Sequence, residues 1–516
     1  MPVHMTLTVR KAFRQNGNIY FLYFAAFCYL LFLVSSSQKD VFYSGDGGLK
    51  FMMIKQICAG EDFRYISHTQ PGWVEEIWAQ GFFPIRKVFV FPGPQGYLFV
   101  FSAPFEILSA FFYRQLGYTG LYIIPFFSLL LLWCWFIWLA KKLSFSNNQI
   151  FFLFFLLVFC SPLTLYGAIY WEHTLGMLLL FGGIVMLEYP PQKAWQAGIL
   201  GCVSGLAIWV RPETFLINIL FACALVILNY KKIGASHLLF IAGVLVGTAS
   251  FLAFNKSEYG YFFGMHGFQA LGEDGYLGKF RKALGNIYRM NLLLLRYFPI
   301  VLILVPIFCA WLKFKWPLPR RTIALLFIAL IFWGGSPFIF ADDGGKQWGP
   351  RFFLALIPMT LLIFGVAYQQ WEKLDWQRYK TVLHVFIFLA SCYGFYLNTF
   401  MGAIDLRDDN FNRIRPALDF VRNDPGNIVV VNNHFVTMEM SSLFKEKFFF
   451  LVDDTTSLNK LIPMLENKGV DHFIYVNFDK LTEGFARLLS SHHTKMINKG
   501  SYQVGLFPLN ERSSPK

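Results

Sequence analysis

Long apolar runs recur along this 516-residue chain, separated by short turns that carry Lys or Arg. A run of about 18 or more apolar residues can cross bilayer hydrocarbon as a helix, the one spanning form besides a closed barrel that satisfies its own backbone. Only 15% of the residues are charged, against roughly 25% in soluble domains, while 56% are hydrophobic and 19% aromatic. The pattern predicts a polytopic membrane protein and excludes an ordinary soluble enzyme. The formal net charge of +14 implies no nucleic acid, because much of it sits in the short turns where the positive-inside rule places Lys and Arg.

The turns order the spans. Arg10, Lys11 and Arg14 precede a first apolar run at Asn18–Val34, which reads as a retained span. Lys141-Lys142, Lys193, Lys231-Lys232, Arg320-Arg321 and Lys380 then mark successive inner turns, up to a last span at Val382–Phe400. The count is about eleven helices, with the N-terminus cytoplasmic and everything beyond residue 402 outside. Seven of the eight cysteines lie in apolar runs and none forms a CxxC pair, so neither a disulfide framework nor a zinc site is predicted. The fold class is an all-α polytopic membrane protein (residues 1–401, outer loop 35–117) with a small C-terminal α/β extracytoplasmic domain at 402–516.

That C-terminal stretch has a different texture. Asn427–Val431, Phe448–Val452 and His472–Val476 read as buried strands, alternating with helical patterns, which implies a small, largely parallel sheet. It contains no Gly-rich phosphate loop, and its expected role is structural or acceptor recognition.

Chemistry gathers in the outer segments. The loop after the first span holds Tyr43-Ser44-Gly45-Asp46-Gly47-Gly48, with a short interfacial helix expected over Leu49–Cys58. Asp46 reads two ways from local sequence, as the N-cap of that helix or as a catalytic carboxylate. The same loop carries His68, Glu75, Glu76, Arg86 and Lys87, and its apolar stretch Tyr97–Tyr113 fits the charge pattern better as re-entrant or interfacial than as a span. Glu172-His173 and Arg211-Pro212-Glu213 stand at further outer span ends, and His266 lies in an outer loop at 255–290. The late turn from Asp342 to Arg351 offers Lys346 and Arg351 to a phosphate, and its Asp342-Asp343 pair to a divalent cation. Charges at span ends are costly beside lipid and mark either a site or a paired structural contact.

Taken together, these motifs resemble the GT-C glycosyltransferases. Asp46 in the first outer loop, Glu172 at a later outer span end, Gly205-Leu206-Ala207 … Arg211-Pro212-Glu213 and the late GGKQWGPRF stretch at 344–352 carry the likeness. It is nearest in style to bacterial members grouped with protein O-mannosyltransferases and lipid A aminoarabinose transferases. One departure stands out: members often show an acidic pair in the first loop, whereas Gly47 follows Asp46 here. The resemblance implies a membrane glycosyltransferase of the bacterial inner membrane. Its donor would be a polyprenyl-phosphate-linked sugar and its acceptor a hydroxyl on a lipid, glycan or protein, with inversion at the sugar. Asp46 would take the acceptor proton and Glu172 would orient a partner. Arg351, Lys346 and Arg211 would meet the phosphate, with His173 and His266 as further substrate contacts.

Two other classes use similar substrates. A lipid-linked sugar flippase or transporter would place polar residues in mid-span, where this chain is almost wholly apolar. An O-antigen polymerase or ligase would carry its main outer loop between spans rather than a C-terminal α/β domain.

Overall fold

The structure, a computed structural model, describes residues 2–37, 39–66, 70–271, 276–314, 316–340, 344–371, 377–478 and 482–509. His68 and the Asp342-Asp343 pair lie outside the described residues. The chain forms two compact units, one of Met1–Ser35 with Tyr122–Ala403 and one of Ser36–Leu121 with Ile404–Lys516.

The first unit is helical. All but one of the predicted spans fall mainly on a single apolar helix. Among the described residues five helices are long and apolar enough to cross a membrane, or six if the bent pair Phe280–Tyr297 and Pro299–Lys313 is one span. Five further apolar helices are shorter, from Asn147–Phe159 to Leu356–Trp371.

Two readings are corrected here. The apolar run Asn291–Leu312, which the sequence pattern predicts as one span, is not a straight helix, because the chain turns by 103° at Phe298–Pro299. Proline supplies no N–H and drives the residue before it out of the α region; Phe298 accordingly has φ −145°. The loop expected over 255–290 contains the helix Gly264–Leu271 and the start of the helix Tyr276–Tyr297.

The closest helix packing in this unit joins Ala194–Val210 to Ala235–Tyr259. Gly201 and Gly205 on one helix face Gly243 and Gly247 on the other, so each carries a Gly-x-x-x-Gly step. A Cβ at Gly201 would lie 2.1 Å from the Phe240 carbonyl oxygen, and one at Gly243 2.5 Å from the Cys202 nitrogen. Small residues of this kind let backbones touch where lipid supplies no hydrophobic drive for association.

In the second unit the C-terminal sheet has five strands in the order β5-β4-β6-β8-β7. β4 (Ile428–Val431), β5 (Phe448–Leu451) and β6 (His472–Asn477) are parallel, as the sequence pattern predicts. β7 (Ile497–Lys499) and β8 (Tyr502–Pro508) add an antiparallel hairpin that the sequence reading missed. Its two-residue turn places Gly500 at φ +65°, and a Cβ there would lie 2.2 Å from the Arg413 carbonyl oxygen.

The outer loop joins this sheet rather than the helical unit. Trp78 Nε1 donates to the Phe449 carbonyl at 2.9 Å, and Trp73 packs on Phe448 and Phe450. Asp40 receives Arg415 and Arg422, each at 2.7 Å, and Glu76 receives Lys468 at 2.9 Å. A small antiparallel sheet in the loop, in the order β1-β3-β2, uses Tyr65–Ile66, Val90–Gly93 and Gly96–Phe99. The helix Pro104–Leu116 follows and packs on the helix Gly45–Ala59. At 13 residues it covers about 20 Å, short of the hydrocarbon thickness.

Substituting Gly243→Leu should force the two glycine-faced helices apart, at a cost on the order of 1–3 kcal/mol or more. Thermal unfolding of the detergent-solubilised protein should show a lower midpoint than wild type, whereas Gly285→Leu, where a Cβ meets nothing within 4 Å, should leave it nearly unchanged.

Candidate active site

In the helical unit, chain reversals at helix ends gather the polar groups that the sequence pattern marks at span ends. Arg211 ends the helix Ala194–Val210, with its N–H bonded to the Ala207 carbonyl at 2.8 Å. Glu213 stands immediately before Thr214–Leu228, and Glu172 immediately before His173–Glu188. Neither glutamate caps its own helix, because both carboxylates turn to Arg211. Arg211 Nη1 donates to Glu172 Oε1 at 3.0 Å, while its Nε and Nη2 reach Glu213 Oε1. Gly176 makes room for this arginine, since a Cβ there would lie 2.8 Å from Arg211 Cγ.

The cluster is buried, with Arg211 8% and Glu172 4% exposed. Burial works against the guanidinium charge, but Glu213 and Glu172 outweigh it and hold the Arg211 pKa above its ordinary value. Around the ions stands an aromatic wall. The His173 ring lies 5.0 Å from Trp171 and 5.1 Å from Tyr166. The Arg211 guanidinium carbon is 5.5 Å from the centre of the Phe352 ring, and that of Arg351 is 5.1 Å from the same ring and 5.6 Å from Trp171.

Arg351 owes its place to the preceding turn. Gly344, Gly345 and Gly349 have φ of +105°, +64° and +80°, a region that favours glycine. Gly344 is required twice over, because a Cβ there would sit 2.7 Å from Arg351 Nε. The chain then enters the short turn Arg351–Phe353.

These contacts bring Glu172, His173, Arg211 and Arg351 together. Lys346 is exposed on the glycine turn. His266 is half-buried on Gly264–Leu271, and Phe263 just before that helix packs on Phe215 at 5.7 Å. Sequence reasoning missed Trp171, Tyr166 and Phe352 as neighbours. The signal was present, since an aromatic residue adjoins each charged group in Tyr170-Trp171-Glu172-His173 and Arg351-Phe352.

Asp46 belongs to the second unit. It is half-buried in the first turn of the helix Gly45–Ala59. The N-cap is Ser44, with an extended backbone, so Asp46 is not the cap. A carboxylate in the first turn is favoured by the helix dipole. The helix also starts four residues earlier than predicted, and Gly47–Ile54 are all buried. Tyr43, three residues upstream, donates to Asp405 at 2.9 Å, and Asp405 receives Arg413 at 3.2 Å. Among the described residues no three His, Cys, Asp or Glu side chains converge as a metal site.

No family model matches the chain, and no curated protein matches it. Solved structures do. ArnT from Cupriavidus metallidurans bound to undecaprenyl phosphate aligns over 96% of this chain and 99% of its own, at 10% identity and a TM-score of 0.53. The apo state of the same protein aligns over 97% and 99%, at 12% identity and a TM-score of 0.54. The Archaeoglobus fulgidus oligosaccharyltransferase, tethered to an acceptor peptide containing the NVT sequon, aligns over 88% of this chain and 69% of its own, at 10% identity and a TM-score of 0.50. Both proteins are GT-C superfamily members, and the chain shares their fold.

The ion cluster yields a direct test. Arg211→Met strands two buried carboxylates and should cost about 3–5 kcal/mol in chemical denaturation. Adding Glu172→Gln and Glu213→Gln to it should recover much of that loss.

Proposed function

We propose that this protein is a membrane glycosyltransferase that moves a sugar from a polyprenyl-phosphate carrier to an acceptor hydroxyl on the extracytoplasmic face, inverting the sugar. The observation that carries the reading is the pair of arginines, Arg211 and Arg351, brought to one aromatic ring in a chain with the GT-C fold. Arg211 and Arg351 meet at one aromatic ring, each beside a turn that the sequence places at the outer ends of spans. The undecaprenyl phosphate bound to the ArnT neighbour supports a lipid-phosphate donor. The acceptor peptide on the oligosaccharyltransferase neighbour supports acceptor binding in general terms.

The reaction transfers the anomeric carbon. The acceptor oxygen forms the new bond from one face, the bond to the lipid phosphate oxygen breaks on the other, and the phosphate leaves with the electron pair. Arg351 is the first candidate for stabilising that developing charge, with Lys346 beside it on the turn. Asp46 is the candidate base that receives the acceptor proton. Glu172 is engaged by Arg211, which suits a carboxylate that fixes the cation rather than one that moves a proton. His173 and His266 are assigned to substrate contact. The sheet of the second unit lies outside the cell membrane in this reading, all eleven apolar helices cross it, and the N-terminus is cytoplasmic, in the bacterial inner membrane.

Three measurements bear on the proposal. A periplasm-dependent reporter fused after Asn410 should be active, and activity of a cytoplasm-dependent reporter at the same point would overturn the orientation. In a membrane assay with a polyprenyl-phosphate sugar, Asp46→Asn should lower transfer by about 10²-fold or more, since the amide cannot accept the proton. Arg351→Ala should weaken donor use strongly, and Arg351→Lys should recover only part because the planar fork is lost. Near-normal transfer by Asp46→Asn would move the search for the base elsewhere, to Glu172 first.

A further inference from the structure

The C-terminal sheet carries a short helix, His434–Glu439, directly after β4. Its middle presses on the turn that holds Asp46. A Cβ at Gly48 would lie 1.7 Å from the Met438 carbonyl oxygen and 2.9 Å from Ser441 Oγ. A Cβ at Gly45 would lie 3.1 Å from Met438 Cε, 3.2 Å from Met438 Cβ and 3.3 Å from Phe435 Cδ1. Asp46 is therefore bracketed by two glycines, both packed against one methionine nearly 400 residues later in the chain. The Gly48 contact is with backbone, which cannot rotate away.

These glycines do not earn their place as helix formers. Gly48 lies inside the helix Gly45–Ala59, where alanine would be the better residue on propensity alone. Nor does either have positive φ, so backbone conformation does not demand glycine. What remains is the close approach itself. On the other side of the turn, the Tyr43–Asp405 bond and the Asp405–Arg413 ion pair tie the segment leading into Asp46 to the segment that opens the C-terminal region.

We infer that the His434–Glu439 helix, through Met438, is the positioning element for the Asp46 carboxylate. The C-terminal sheet then serves the chemical step itself and is not confined to recognising the acceptor. This rests on the reading of Asp46 as the base. Met438, Gly45 and Gly48 are positioning residues: none supplies a reacting group, and each sets where Asp46 stands. Displacing the turn by about 1 Å is enough to cost on the order of 10²-fold in rate.

The test compares three full-length variants in the membrane transfer assay. Gly48→Ala inserts the methyl group against the Met438 carbonyl. It should lower kcat by about 10²-fold and leave donor KM within about twofold, because the candidate phosphate groups are in the other compact unit. A general loss of folding would instead reduce the amount of active protein with kcat per folded molecule unchanged, which size-exclusion and active-site titration separate. The double variant Gly45→Cys/Met438→Cys provides an independent arm. Its Cβ atoms would start 3.2 Å apart, a few tenths of an ångström short of the disulfide range of about 3.5–4.5 Å, which a small shift of the turn supplies. The oxidised protein should transfer at close to the rate of its reduced form. Asp46→Asn runs alongside. Wild-type kcat in Gly48→Ala beside an inactive Asp46→Asn removes the clamp and keeps the base. An oxidised pair that is inactive until reduced shows that the turn must leave Met438 during turnover, and also removes the clamp. Wild-type transfer by Asp46→Asn removes the base assignment, and the clamp with it.

Discussion

A buried guanidinium shared by two carboxylates anchors the helical unit. Arg211, Glu172 and Glu213 come from the reversals before and after three helices, and none of the three is more than about one-tenth exposed. Charges in such a place persist only when paired and hydrogen-bonded, so the position of each helix end is coupled to the other two. Gly176 is a consequence: the helix carrying it has to lie against the arginine side chain with no Cβ between. Phe352 is another, since its ring faces the same guanidinium and so relates the chain after the glycine turn to this ion cluster.

Much of the fold was legible in the sequence where one physical requirement dominates. Lipid demands long apolar runs, and the predicted spans fall on apolar helices for that reason. Val429, Val430 and Val431, β-branched and wholly buried, announce β4, and Phe449 and Phe450 announce β5 in the same way. Legibility fails where the determinant is tertiary. β7 has only three residues and β8 is interrupted by Gly505, a residue whose Cβ would lie 2.7 Å from Met496 Sδ. The packing of the outer loop with the C-terminal sheet depends on pairs such as Trp78 with Phe449, more than 350 residues apart. The break at Pro299 had a local signal that hydropathy alone overrode, because the residues on both sides are apolar.

The candidate site divides along the same line. Arg211 and Glu213 stand two residues apart about a proline, and their pairing is readable as a local brace. Glu172 joins them from 39 residues away, which no spacing rule reveals. At Asp46 the local alternatives were cap and catalyst; Ser44 holds the N-cap position without a side-chain capping bond, and Asp46 falls in the first turn instead.

The ion pairs also rank the cations for the proposed chemistry. Arg211 already faces two carboxylates, so a phosphate approaching it has to compete with Glu172 and Glu213 for the same N–H groups. The local sum of those two acids with Arg211 is one negative charge, which repels an anion rather than attracting it. Arg351 balances that charge while lying against Trp171 and Phe352. Aromatic faces attract a cation without neutralising it. Lys346 on the same turn adds a second positive charge. In the proposed reaction Arg211 would hold the site's frame and Arg351 would be the cation that meets the lipid phosphate, so the glycine turn that positions Arg351 would matter to donor binding as much as the arginine itself.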